Sequence, residues 1–397
     1  MIEAVDTRAR GPRAQRAEAV GAASAVRRLD WWLLGATAAL LAFGLWAIGG
    51  ITAHDIPGNA NYYLVRQGIY AAVGCAGFVA LLFVEPQIYR RYKRWIFGCT
   101  AGLMLLVLLG GTVSRHSKRW LDIGFFRFQP SEFGKLLFVL FLAGFLADRA
   151  KRLGEPRTVL EAIGLGCLPI LLVFVQPDVG TAMVYMAALA AVLFVAGVRW
   201  THLAALGAGT LVAILAVLWL LPAGGVHVLK PYQEKRLTGF THPDSDPAGA
   251  TYNVAQARNA VGAGGVRGRG VAGATQTKLN FLPEHATDFA FASLAEQRGF
   301  VGVSVLLLLY LLVVWRGLKV IAIARDAFSA IAAGGIVFAF LFQVFVNVGM
   351  NIGVAPVTGI PLPFVSVGGS ALIANLLALG VLQAIHIRGA ARPKAYR

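Results

Sequence analysis

The chain carries ten apolar runs, most of them close to the roughly 20 residues that a helix needs to cross a hydrocarbon core. They cover residues 31–50, 68–84, 95–111, 133–147, 158–175, 180–197, 202–222, 289–315, 329–351 and 367–387. Lipid offers no hydrogen bonds to an open backbone, so runs of this kind read as helices. The predicted fold is an all-α polytopic membrane protein with about ten transmembrane helices and a long polar loop, residues 226–288, between helices 7 and 8. A content of 57% hydrophobic against 14% charged residues excludes a water-facing globule. Residues 1–30 are too long and polar for the start of a cleaved signal and read as a disordered tail. Residues 31–387 make the membrane domain, and 388–397 a short second tail.

A formal charge of +17 would suggest nucleic acid as a partner in a soluble protein. Its placement removes that reading. Most of the 36 lysines and arginines fall in the two tails and in the even-numbered connections, as Arg90, Arg91, Lys93 and Arg94, then Arg149, Lys151, Arg152 and Arg157, Arg199, and Arg316, Lys319 and Arg325. Positive charge is retained on the cytoplasmic side, which puts both termini inside and the loops 112–132, 176–179, 226–288 and 353–366 on the outer face. The exceptions are Arg115, Lys118, Arg119 and Arg127, interleaved with Trp120, Phe125, Phe126 and Phe128, and Lys230, Lys235, Arg236, Arg258, Arg267, Arg269 and Lys278 in the long loop. Two readings fit them: snorkelling segments on membrane lipids, or a surface for an anionic lipid headgroup such as a pyrophosphate.

The polar loop ends in Asn280-Phe281-Leu282-Pro283-Glu284-His285-Ala286-Thr287-Asp288. Pro283 can open a helix, which would place Glu284 and Asp288 on one helix face. Lys135, three residues past Glu132, is an ionisable group at membrane depth and calls for a polar cavity or a partner. Glu296 and Arg298 are read as pairing with each other or with neighbouring helices. Cys75, Cys99 and Cys167 lie in apolar runs without metal spacing and read as packing residues. The seven histidines form no zinc pattern. The glycines of residues 261–270 lack the Lys-Ser/Thr of a phosphate loop and read as a tight turn.

Several motifs in fixed order resemble the SEDS family (RodA/FtsW/SpoVE) from about residue 30 to 390. They are Arg119-Trp120-Leu121-Asp122-Ile123-Gly124, Arg127-Phe128-Gln129-Pro130-Ser131-Glu132 with Lys135, Gln176-Pro177-Asp178-Val179-Gly180-Thr181-Ala182, Asp246-Pro247 with Tyr252 and Gln256, Phe281-Leu282-Pro283-Glu284, Thr287-Asp288-Phe289, Asn347-Val348-Gly349-Met350, and residues 356–363. Thr275-Gln276 and residues 357–363 resemble the RodA branch more than the division branch, FtsW. The resemblance implies a bacterial inner-membrane peptidoglycan glycosyltransferase that polymerises lipid II during elongation and cell-shape maintenance. It implies a class B penicillin-binding protein as the transpeptidase partner, undecaprenyl-pyrophosphate-linked glycan as the growing substrate, and no nucleic acid.

The family's essential aspartate falls on Asp288, the candidate general base. Arg119 and Lys135 are the candidate pyrophosphate cations, with Arg258, Arg267 and Arg269 as weaker ones. Glu132 and Glu284 would hold those cations or bind a metal; a divalent cation, Mg2+ or Mn2+, is the cofactor to expect, with its ligands unassigned. Trp120, Gln129, Ser131, Gln256, Thr287, Ser366 and Ser370 complete the candidate substrate-binding set. Two positions depart from the family pattern: Ala286 stands where histidine is usual, with His285 one place earlier, and Val367 stands where tyrosine is usual. A transporter that flips lipid II is the competing function, although the middle halves of most helices are plain Leu, Val, Ala and Phe.

Overall fold

The computed structural model describes residues 26–114, 117–124, 126–238 and 250–391. Arg115, Phe125, Asp246, Pro247 and most of both tails lie outside that range. Among the described residues, ten helices are long and apolar enough to span a membrane: Trp31–Ile51, Tyr62–Phe83, Lys93–Gly110, Pro130–Asp148, Pro156–Val175, Val179–Ala196, Trp200–Ala223, Ala290–Ile323, Ala327–Ile352 and Gly369–Gly389. They are numbered here as spans one to ten.

Local chemistry sets many of their ends. Asp30, Asp178 and Asp326 accept the N–H groups of Leu33, Thr181 and Ser329 at 3.0, 3.1 and 3.0 Å, satisfying first-turn donors of spans one, six and nine. Pro130 and Pro156 open spans four and five, where a missing N–H costs nothing. Pro222 ends span seven differently. It has no N–H to give, its ring crowds the preceding turn, and residues Ala216–Leu220 widen into one π-helical turn ahead of it.

Spans four, nine and ten form the centre and bury most of their length, whereas span seven buries none of its apolar window. Close packing among the central helices relies on small residues, as it does where lipid tails supply no driving force for helix association. Gly335 of span nine faces Val139 and Val192, and Gly380 of span ten faces the backbone of span two at Phe78. The three cysteines are free; Cys75 and Cys167 are half-buried and Cys99 is exposed on the bundle surface.

One end of the bundle carries short connections, the start of span one and the end of span ten. There, Asp30 is buried and takes Arg316 through Nε and Nη2 at 2.9 and 2.6 Å. Arg388 donates to the carbonyls of Leu82 and Phe83 and so closes the end of span two; the tenth helix runs to Gly389, through the first residues assigned to the tail. Tyr89, on the short helix Pro86–Arg91, has a buried hydroxyl without a partner among the described residues, and burial pushes its phenol up to about 12.

The other end carries the long connections. Residues between spans three and four form a three-stranded antiparallel sheet, β1 (Thr112–Ser114), β2 (Ser117–Ile123) and β3 (Phe126–Phe128), where the sequence suggests only a loop. Between spans seven and eight the described residues form four helices, Pro231–Thr238, Ala250–Gly264, Gly270–Gly273 and Thr275–Lys278. Val254, Ala257 and Ala260 of the second pack on Leu282, Phe289, Ala292 and Val357, a small apolar core separate from the main one.

Span eight is broken at Gly299, whose φ of 63° and ψ of −165° are not helical. The glycine-rich segment repairs the break. Phe300 and Val301 donate their N–H groups to Gly265 and Val266, and Arg269 donates to the carbonyl of Glu296, at 2.8, 3.1 and 2.9 Å. A Cβ on Gly268 or Gly299 would overlap the other segment's backbone, and both have positive φ. Glu296 and Arg298 do not pair with each other. Glu296 is fully buried and accepts from the Gln276 N–H and from the N–H and hydroxyl of Thr277, at 2.8, 3.0 and 2.8 Å. Arg298 lies over the ring of Trp46.

Candidate active site

Pro283 does not open a helix. Residues 283–288 form turns, Glu284 has φ 56°, and helical geometry begins at Ala290, so Glu284 and Asp288 share no helix face. The reason lies in where five consecutive carbonyls go. Glu284 O accepts from the N–H groups of Thr287 and Phe289, both at 3.1 Å. His285 O accepts from Ser293 Oγ at 3.1 Å, Ala286 O from Val367 N–H at 2.8 Å, and Thr287 O from Ser366 Oγ. Asp288 O accepts from Asn347 and Asn351 Nδ2 at 3.0 and 3.3 Å. Both asparagines are fully buried on span nine, and Asn351 Oδ1 also takes the Ala292 N–H at 3.0 Å. Buried backbone acceptors must be satisfied, and here a local turn satisfies the first and tertiary donors the other four, in place of a helix.

The half-buried Asp288 side chain faces the connection between spans nine and ten. Gly359, whose φ of 73° favours glycine, lies between Asp288 and Arg236: a Cβ there would stand 3.5 Å from Asp288 Oδ2 and 3.9 Å from Arg236 Nη1. Thr358, the preceding residue, lines a cleft with Arg119, Asp178, Gln233, Arg236 and Val357. Asp178 is buried and anchors Arg119, with Nη1 to Oδ1 at 3.3 Å. Arg236 and Arg119 thus line one cleft, and Asp288 stands beside it, at Gly359 with Arg236.

Other candidate residues lie further back. Lys135 is buried, with Nζ 2.7 Å from Glu132 Oε2 and 2.8 Å from Gln343 Oε1, and lines a second cavity with Asn375 among apolar side chains of spans four, nine and ten. Gln129 reaches Ser131 and Asp178 at 3.3 and 3.4 Å, and the Ser131 carbonyl takes the Tyr185 hydroxyl at 2.9 Å. Ser366 and Ser370 are buried and serve backbone: Ser366 takes the Leu362 N–H at 2.8 Å, and Ser370 takes the Gln129 N–H at 3.0 Å. Thr287 Oγ1 donates to Glu284 Oε2 at 2.9 Å. Trp120 is half-buried on β2. Gln256 bonds Asn259 at 3.4 Å, and Arg258 lies against Gly353. Among the described residues no three of His, Cys, Asp and Glu gather as a metal cluster. One carboxylate beside a cationic cleft fits an ion that arrives with its substrate, as Mg2+ commonly does with phosphates.

Sequence reasoning named Asn347 only as part of a family motif, without a role, and did not single out Asn351 or Ser293. The signal was present: asparagines four apart in a spanning helix are costly unless employed. The two departures from the family pattern, Ala286 and Val367, touch each other through the 2.8 Å bond described above.

Ten spans around a cleft of acid and guanidinium groups define an integral membrane protein with a polar site at one end. The profile of the cell cycle protein family FtsW/RodA/SpoVE matches residues 27–390. The peptidoglycan glycosyltransferase MrdB of Escherichia coli is 36% identical over 358 residues, covering 90% of this chain and 93% of that protein. The stage V sporulation protein E of Bacillus subtilis is 35% identical, covering 82% and 87%. Among solved structures, a chain from a study of polymerization and crosslinking by a peptidoglycan synthase complex superposes with a TM-score of 0.75 at 30% identity, covering 92% and 99%. The rod shape determining protein RodA of Thermus thermophilus superposes with a TM-score of 0.67 at 28% identity, covering 92% and 98%. The chain belongs to the FtsW/RodA/SpoVE family.

Proposed function

We propose that this chain is a peptidoglycan glycosyltransferase that polymerises lipid II, with Asp288 as general base. The observation that carries the reading is the fixed turn bearing Asp288 near Arg236, a residue that lines a cleft together with Arg119. The Asp288 carboxylate takes the proton of the acceptor sugar hydroxyl as that oxygen attacks the anomeric carbon. The bond from that carbon to pyrophosphate breaks on the opposite face, with inversion. Negative charge grows on the departing undecaprenyl pyrophosphate, and fixed guanidinium groups stabilise it in the transition state. Arg119, held by Asp178, is suited to that work because its orientation is set before substrate arrives. Asp288 would hold a Mg2+ or Mn2+ ion together with substrate oxygens, and the ion would supply neutralising charge.

The site lies on the outer face of the bacterial cytoplasmic membrane, with both termini inside, on the distribution of basic residues. A class B penicillin-binding protein is the partner. Its transpeptidase would cross-link strands made here, in keeping with the synthase complex studied for a solved relative.

Asp288→Asn should lower the rate of glycan formation from purified lipid II by about 100-fold or more, the usual scale for loss of a general base, while the protein still folds. Wild type that moves lipid II between leaflets without polymer would instead establish a transporter.

A further inference from the structure

The turn that bears Asp288 is held from the front and side by spans eight and nine and the connection to span ten. Behind it, span eight and the connection to span ten meet the first helical hairpin. Trp46 carries Arg298, the Gly50 carbonyl takes Gln297 Nε2 at 3.1 Å, and Gln67 of span two bonds Ser366 O and Gly368 N–H, both at 3.4 Å. At the tip of the hairpin, Asp55 Oδ1 lies 2.9 Å from His285 Nε2. Both side chains are largely withdrawn from solvent, with 16% and 10% exposure, so the contact is not a screened surface pair. Asp55 is itself fixed, because its N–H donates to the Thr52 carbonyl at 3.2 Å and Thr52 is buried. His285 is three residues from Asp288 in the same turn, and its own carbonyl is tied to Ser293.

We infer that Asp55 and His285 are positioning residues for the reaction. This rests on the glycosyltransferase reading above. The pair joins the turn to the first hairpin, an element that none of its five carbonyls reaches, and so opposes rotation of the turn about its carbonyl bonds. Such a rotation would carry the Asp288 carboxylate away from the acceptor hydroxyl, and small displacements of a catalytic group cost large factors in rate. Neither residue contacts substrate in this account. Their loss should therefore lower kcat and leave KM nearly unchanged.

The experiment is lipid II polymerisation by wild type, Asp288→Asn, Asp55→Ala, His285→Ala, the double variant Asp55→Ala/His285→Ala, and His285→Gln, which keeps a donor near the Nε2 position. Each is purified whole, and its thermal unfolding midpoint is measured. The expected result is a fall in kcat of roughly tenfold in both alanine variants, KM within about twofold, and no further loss in the double variant, the sign of one shared interaction. His285→Gln should recover most of the rate. Wild-type turnover in His285→Ala, multiplying losses in the double variant, or losses that follow the unfolding midpoint would each overturn the inference. If those outcomes appear while Asp288→Asn is inactive, the glycosyltransferase reading stands alone. An Asp288→Asn protein as active as wild type would sink both.

Discussion

At the level of single residues, Asp288 was legible because a family motif surrounds it, but its setting was not. Pro283 looks locally like a helix opener, and only the tertiary donors Ser293, Ser366, Val367, Asn347 and Asn351 explain why the chain turns instead. Those donors come from positions up to 81 residues away in sequence, beyond what a pattern of spacing can register. Asn347 is the most exposed to test, because it holds both Asp288 O and, at 2.8 Å, Ile360 O. Asn347→Ala should cost about 1–3 kcal/mol in stability by leaving buried acceptors unmet, and kinetics on the folded fraction should show reduced kcat. Tyr89 offers the opposite case. Its folded-state phenol is raised to about 12, so the fold favours the neutral form. The unfolded chain ionises from about pH 10, and stability falls as pH rises from there to about 12. Tyr89→Phe should remove that alkaline loss and, lacking a buried unpartnered hydroxyl, should be neutral or up to about 1 kcal/mol more stable at pH 7, measured by unfolding at both pH values.

Among the elements, the ten spans were readable because apolar length alone decides them, and their predicted centres hold. The ends moved where polar residues join helices, as at Tyr62 and Lys93. The β-sheet was missed for want of length: β1 and β3 have three residues each. Even so, Phe126-Arg127-Phe128 alternates as a strand should, with Arg127 exposed opposite Asp122 at 3.3 Å. Glu296 shows what periodicity cannot reveal. It is a spanning-helix acid whose partners are the start of the short helix Thr275–Lys278, not another side chain on its own helix. Glu296→Ala would strand three donors, at a cost of about 1.5–3 kcal/mol by the scale for bonds to charged groups. Limited proteolysis should then find residues 270–280 cut faster than in wild type.

For the whole molecule, charge placement predicts which end faces out. In a variant without its three native cysteines, a cysteine replacing Lys278 should react with a membrane-impermeant maleimide in intact spheroplasts, and one replacing Arg325 only after permeabilisation. The reverse pattern would overturn the assigned orientation. The break at Gly299 bears on another matter, inheritance and exchange. Because Gly265 and Val266 accept the N–H groups of Phe300 and Val301, the long connection supplies part of the eighth helix's own ladder. Two stretches remote in sequence thus behave as one heritable part. A chimera that imports a relative's loop up to residue 289, but keeps the native helix beyond it, pairs two halves that were never selected together. The smallest segment that keeps these ladder bonds together runs from about residue 264 through residue 301.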